Sequence, residues 1–357
     1  MSVMDLIRPE LAQMKEYRPS SDTPIYRLHA NESPWSPVKL EAVALNHYPD
    51  INEQLALQEQ LAAYYQINED QLALTRGSDD GIDFLMRLFL RPGQDSILQC
   101  PPTFPMYTFY AELQHASVIN CPLNIKDNFS LSLDELFGAW QPNCKIIMLC
   151  QPNNPTGNLL PLETIATICK QFSDKAMVVV DEAYIEFAAS SSATTLINDY
   201  ENLIVLRTLS KAFGLAGLRL GSVIANKVVI QALQKITAPY LLSSPVIALA
   251  QQALQKPAWL IESIQQILTE RERVSSFLQQ LPLIEMVYPS EANFIFVKSK
   301  QAKALIDWFN QHKLAIRHFL NTPLADFLRI SIGDKAHNQI LMKLLQEFSQ
   351  ENLIVLT

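Results

Sequence analysis

Six short runs constrain this chain more than any other feature: SILQC (96–100), SVINC (117–121), KIIMLC (145–150), MVVVDEAY (177–184), LIVLRTLS (203–210) and GSVIA (221–225). Each is a β-rich, mostly continuous apolar segment, and stretches of helical character separate them. Strands without polar alternation are buried on both faces, and strands that alternate with helices are joined by crossovers. The pattern predicts an α/β fold: a large domain with a mostly parallel, helix-covered central sheet. Residues 50–65 predict a helix, with Asp50 and Glu53 as a capping box and Leu57, Leu61 and Tyr65 on one face. Residues 257–280 predict a long amphipathic helix, apolar at 260, 264, 267, 268, 274 and 278. After it, ANFIFVK, LAIRHF and FLRISI predict the strands of a smaller α+β unit. The expected division is a large domain over 31–250 and a small one assembled from 1–30 and 251–357.

The net charge of −8 weighs against nucleic acid or an anionic membrane as the main partner. No apolar run approaches the roughly 18 residues of a membrane span. Near the N-terminus, Asp5 and Glu10 stand where a secretion signal needs a basic flank and an uncharged core. The five cysteines form no CxxC pair and are odd in number, so the expectation is buried thiols in a reducing cytoplasm and no metal site.

Only nine of 357 residues are glycine, well below the ordinary usage of about 7%. Seven of the nine fall in four places: Gly77 and Gly81; Gly157; Gly214, Gly217 and Gly221; and Gly333. Glycine spent so sparingly suggests turns or close backbone approach to a ligand. TLSKAFGLAGLR (208–219) carries two of these glycines, Gly214 and Gly217. Lys211 there has small and apolar neighbours, hydroxyls before it and Arg219 after it. An apolar surround disfavours the ammonium form, which suits a nucleophilic amine. Alone, the segment also fits an exposed loop lysine.

Three further segments bear on that choice. VVVDEAY places Asp181 at the end of an apolar strand, where α/β sheets present ligand-binding side chains. Such a carboxylate caps a helix or partners a pyridinium nitrogen, and Tyr184 follows closely enough to share its pocket. CQPNNPTGN turns sharply after another strand and offers the Asn154 amide. TRGSDDGIDFLMRLF predicts a helix with Ser78 as N-cap. A glycine-led helix N-terminus binds anions through free N–H groups, although Asp79 and Asp80 oppose an anion directly.

NNPTG, DEAY, SKAFGLAGLR and RISIG, in this order and spacing, resemble the pyridoxal-phosphate aminotransferases of the aspartate aminotransferase fold (fold type I, class II-like), and most closely the histidinol-phosphate aminotransferases. The likeness runs from LHANESP at 28 through HYPD at 47 to FLRISIG at 327. It implies pyridoxal 5'-phosphate as cofactor and Lys211 as the lysine that binds it and carries the catalytic proton. Asp181 would pair with the ring nitrogen, Asn154 and Tyr184 with the ring hydroxyl, and Tyr107 in PPTFPMY would stack on the ring. Ser78, Asp79, Ser210 and Arg219, with Thr208 behind them, would hold the cofactor phosphate. Arg329 would bind the amino-acid carboxylate. Arg317, Tyr17 and Asn31 would complete the substrate site, and Tyr48 would reach a neighbouring subunit's cofactor in a homodimer.

The implied reaction moves an amino group from L-histidinol phosphate to 2-oxoglutarate, giving imidazole-acetol phosphate and L-glutamate, in histidine biosynthesis. An aromatic or broad-range aminotransferase and a phospho-amino-acid decarboxylase share the scaffold and are the alternatives. A cofactor-binding transcriptional regulator would need an added DNA-binding module, and the resemblance already begins within the first 30 residues. Two departures stand out. NESPWSP has Ser33 and Ser36 where the family often has asparagine and glycine, and Asp80 stands where glutamate is common.

Overall fold

The computed structural model describes residues 6–7, 45–319 and 322–354. Seven strands form the large sheet: β1 (Leu72–Thr75), β2 (Ser96–Gln99), β3 (Ser117–Asn120), β4 (Cys144–Cys150), β5 (Met177–Asp181), β6 (Leu203–Thr208) and β7 (Gly221–Ala225). Their order is β1-β7-β6-β5-β4-β2-β3. The strands from β2 to β6 pair in parallel, and β7 runs antiparallel to both of its neighbours, β6 and β1. The carboxyl ends of β1, β2, β4, β5 and β6 therefore open onto one edge, where open α/β sheets bind ligands.

All six expected runs are strands. The sequence reading missed β1 because LALT is too short to show a period. Alternate residues of the central strands enter two separate cores. Ile147, Leu149, Val178 and Val180 join one, and Ile146, Met148, Val179 and Ile204 join the other. That is the period of two expected of a sheet covered by helices on both faces.

The helices are α1 (Ile51–Tyr65), α2 (Ser78–Phe89), α3 (Met106–Leu113), α4 (Leu133–Ala139), α5 (Leu162–Gln171), α6 (Lys227–Gln234), α7 (Ser244–Leu254), α8 (Pro257–Gln279), α9 (Ala302–Gln311) and α10 (Lys335–Ile354). Asp50 caps α1 by accepting from the Asn52 N–H at 2.8 Å. The long α8 buries Leu260, Val274 and Leu278.

Beyond α8 lies a second, antiparallel sheet of β8 (Met286–Tyr288), β9 (Phe294–Lys298), β10 (Arg317–His318) and β11 (Phe327–Ser331), in the order β10-β11-β9-β8. Its two faces differ. Ile295, Val297, Leu328 and Ile330 pack with α8, α9 and α10, whereas Phe294, Phe296 and Phe327 enter the core of the large sheet. Phe129 locks that junction, with ring centroids 5.6 Å from Phe296 and 6.1 Å from Phe327. Because Arg329 is two residues from Phe327, it shares the face turned toward the large sheet. Among the described residues no helix is long and apolar enough to cross a membrane.

Candidate active site

The chain from β1 into α2 makes a glycine-built corner. Gly77 has φ +83° and is the N-cap of α2; Ser78, expected as the cap, is instead the first helical residue. β7 starts directly against this corner. A Cβ on Gly221 would lie 2.5 Å from the Gly77 carbonyl carbon and 2.6 Å from the Ser78 nitrogen. Only glycine permits that approach. The corner presents the helix N–H groups to a cavity also lined by Asp79, Ser210 and Arg219. Asp80 turns back to Arg76, which it meets at 3.0 Å, and Asp79 holds Arg219 at 3.3 Å. The first-turn acids that seemed to oppose an anion are thus one diverted and one paired. Arg219 also donates toward Ser210 Oγ at 3.4 Å, and Thr208 Oγ1 lies 3.0 Å from the same hydroxyl.

Asp181 ends β5 on the cavity floor and is buried. Its Oδ1 accepts from the Ala183 N–H at 3.2 Å and its Oδ2 from Tyr107 Oη at 2.8 Å. Among the described residues no lysine or arginine lies within ion-pair distance of it. Burial pushes its carboxyl up to about 6, against the lowering effect of the Tyr107 hydrogen bond. A buried, uncompensated carboxylate facing a cavity is the chemical complement of a cationic ring nitrogen.

Lys211 follows β6 at the mouth of the cleft. The residue is solvent-exposed, but protein surrounds much of its amine. Lost hydration and then Arg329 lower its pKa, while Asp79 and Asp181 act in the opposite sense. Its Nζ stands 5.5 Å above the Tyr184 ring. Asn154, after β4, donates to Tyr184 Oη at 3.3 Å and accepts from Arg329.

Tyr107 requires a correction. It has no exposed surface and does not line the cavity; the aromatic rings there are Phe104 and Tyr184. Tyr107 lies on α3 with Ala111 one turn on, and both are buried in the core. Phe104 precedes that helix on the loop after β2, at the carboxyl edge of the sheet. A helical period beginning after Pro105 would have separated the two residues.

The small sheet supplies the opposite wall. Arg317 of β10 pairs directly across the strands with Arg329 of β11, and both line a cavity of about 730 Å³ shared with Lys211, Tyr184 and Asn154. Among the described residues neither guanidinium has an ion-paired acid. Like charges placed opposite each other are unfavourable, so the pair is suited to an anion. Tyr48 lies away from this cleft, stacked on Tyr240 with centroids 4.6 Å apart. Tyr17, Asn31, Ser33 and Ser36 fall outside the described residues.

The helix-terminal anion corner, the lone carboxylate at the end of β5 and the lysine after β6 together define a pyridoxal-phosphate enzyme of fold type I. The description of aminotransferase class I and II matches residues 17–345, and the chain belongs to that family. It is 50% identical over 352 residues to histidinol-phosphate aminotransferase 1 of Legionella pneumophila (strain Lens), covering 98% of this chain and 97% of the relative. It is 38% identical to the histidinol-phosphate aminotransferase of Francisella philomiragia, covering 97% and 96%. Its fold is similar to that of the histidinol-phosphate aminotransferase from Sinorhizobium meliloti solved in complex with pyridoxal-5'-phosphate. That match has a TM-score of 0.79 and 26% identity, and covers 86% of this chain and 84% of that one.

Proposed function

We propose that this chain is a histidinol-phosphate aminotransferase of histidine biosynthesis, moving the amino group of L-histidinol phosphate to 2-oxoglutarate to give imidazole-acetol phosphate and L-glutamate. Half of its residues are identical to those of a relative bearing that name, over nearly the full length of both. The observation that carries the substrate reading is the Arg317–Arg329 pair facing Lys211 across the cavity without an ion-paired acid among the described residues. Histidinol phosphate and glutamate share an amine near an anionic group, and two guanidiniums without an ion-paired acid among the described residues can hold either a phosphate or a carboxylate.

Bound pyridoxal phosphate supplies an electron sink for negative charge at the substrate carbon that bears nitrogen. The chain's residues do the rest. The N–H groups at the start of α2, with Ser78, Asp79, Thr208, Ser210 and Arg219, would hold the cofactor phosphate. Asp181 keeps a negative charge where the ring nitrogen would lie, and Asn154 and Tyr184 would hold the ring hydroxyl. Lys211, whose amine is lowered in pKa by lost hydration and by Arg329, would take the proton from the substrate carbon and return it on the other side of the transfer. Arg329 and Arg317 orient the substrate, with Tyr17 and Asn31 assigned to the same site.

The large and small domains over 31–250 and over 1–30 with 251–357, a homodimer in which Tyr48 reaches the partner's cofactor, and a cytoplasmic location belong to the same proposal. The five buried, free cysteines suit a reducing compartment. A panel of amino donors with 2-oxoglutarate tests the reading. Histidinol phosphate is expected to be preferred; preference for phenylalanine or tyrosine would assign an aromatic aminotransferase, and release of carbon dioxide from a phosphorylated amino acid would assign a decarboxylase.

A further inference from the structure

Asp181 is held from below by a residue outside the cavity. Its Oδ2 accepts from Tyr107 Oη at 2.8 Å, and both side chains are buried. Tyr107 is itself fixed. It lies on α3 against the core face of the sheet, and the Phe104 ring meets it edge-on at 5.6 Å. Other groups face Asp181 through space: Asp79 from α2, Lys211 after β6, Tyr184 after β5 and Cys150 at the end of β4. Among the described side chains Tyr107 alone donates a hydrogen bond to it.

A buried carboxylate opposite a ring nitrogen can exist in two forms. The proton sits on nitrogen and the carboxylate is charged, or the proton sits on oxygen and both partners are neutral. A hydroxyl donating to the carboxylate stabilises the charged form more than the protonated one. We propose that Tyr107 is a positioning residue for the reaction: its hydroxyl aims the Asp181 carboxylate and keeps the shared proton on the ring nitrogen of the cofactor. The inference rests on the pyridoxal-phosphate reading of the site. It gives the tyrosine a role beneath the ring, where the resemblance had assigned it to stacking on the ring's face.

The direction of the effect follows from the chemistry. Removing the hydroxyl makes the carboxylate more basic, so the proton moves from nitrogen toward oxygen and the ring withdraws electrons less well. The test compares wild type, Tyr107→Phe and a protein carrying 3-fluorotyrosine at position 107, each loaded with ¹⁵N-labelled pyridoxal phosphate. Phenylalanine keeps the buried ring and deletes the donor; 3-fluorotyrosine keeps the hydroxyl and makes it a stronger donor. In Tyr107→Phe the ring-nitrogen resonance is expected to move toward the unprotonated position. The value of kcat should drop about tenfold or more, as for the loss of a hydrogen bond to a charged group, with KM for histidinol phosphate nearly unchanged. In the apoprotein, ¹³C-labelled Asp181 should protonate about one to two pH units higher than in wild type. With 3-fluorotyrosine the nitrogen should remain protonated to higher pH than in wild type, and this arm decides the matter even if Tyr107→Phe does not fold. Resonances indifferent to position 107 would overturn the inference and leave the aminotransferase reading standing. Failure of pyridoxal phosphate to attach at Lys211 in wild type would overturn both.

Discussion

Asp181 and Glu182 are adjacent in sequence, and both are buried, yet they belong to opposite regimes. Glu182 points into a cluster behind the site. There it accepts from the Ala193 N–H at 2.7 Å and from Ser192, with Arg207 at 3.7 Å. Arg207 in turn holds Glu186 at 2.6 Å and lies 4.7 Å over the Tyr65 ring. Asp181 has two neutral donors and, among the described residues, no cation in ion-pair distance. One carboxylate has its countercharge built into the chain; the other leaves room for a countercharge that arrives with a ligand. The buried acid without a countercharge lines the cavity, and its ion-paired neighbour lies in the wall behind it.

Substitutions can break this contrast, the largest effect lying on the functional side. Lys211→Ala is expected to lose transamination by several orders of magnitude, because the proton carrier goes with the amine, while thermal stability stays close to wild type. Borohydride reduction and peptide mapping of wild type should place the pyridoxyl group on Lys211; label on another lysine would contradict the assignment. On the structural side, Glu182→Ala leaves Arg207 buried with only part of its countercharge. It should cost about 3–5 kcal/mol of stability, as measured by denaturant unfolding of the apoprotein.

The two acids also differ in what pH does to them. In the apoprotein the Asp181 carboxyl is pushed up from 3.8 to about 6, so between these values the folded state binds more protons than the unfolded one. Stability from this group is therefore present at low pH and lost as pH rises toward 6 and beyond, by about 3 kcal/mol for a shift of roughly two units. Asp181→Asn should remove that decline, and an unchanged pH profile would show that Asp181 is not held in this way. The smallest effect lies on the opposite wall. Arg317→Ala should cost about ten- to a hundredfold in kcat/KM with histidinol phosphate, equivalent to the roughly 1.5–3 kcal/mol of a charge-assisted contact, and less with glutamate. Equal losses with both substrates would remove any preference of Arg317 for the phosphate.

Much of this was legible in the chain because it rests on local pattern. The six apolar runs predicted six of the seven strands of the large sheet, and Asp181 stood out as a charge closing one of them. β1 and β8 escaped notice because LALT and MVY are too short to carry a period. The resemblance places Tyr107 of PPTFPMY on the ring, and only the start of α3 separates its inward face from Phe104 on the loop before it. The pairing of Arg207 with Glu182 and Glu186 was not readable. All three charges sit in or beside apolar runs, but which of them meet depends on the β5–β6 neighbourhood and the turn carrying Ser192. The same holds for Arg317 beside Arg329, whose register is set by the antiparallel pairing of β10 with β11.

The most direct measurement reads turnover and stability on one protein, Asp181→Asn. The substitution keeps the shape and removes the unpartnered charge. With histidinol phosphate and 2-oxoglutarate, turnover is expected to drop more than about a hundredfold, or roughly 2.7 kcal/mol of transition-state stabilisation. At neutral pH the apoprotein should unfold at the same temperature as wild type or higher. Turnover within about a factor of ten of wild type, or a marked loss of stability, would contradict the account, because Asp181 would then be a structural acid like Glu182.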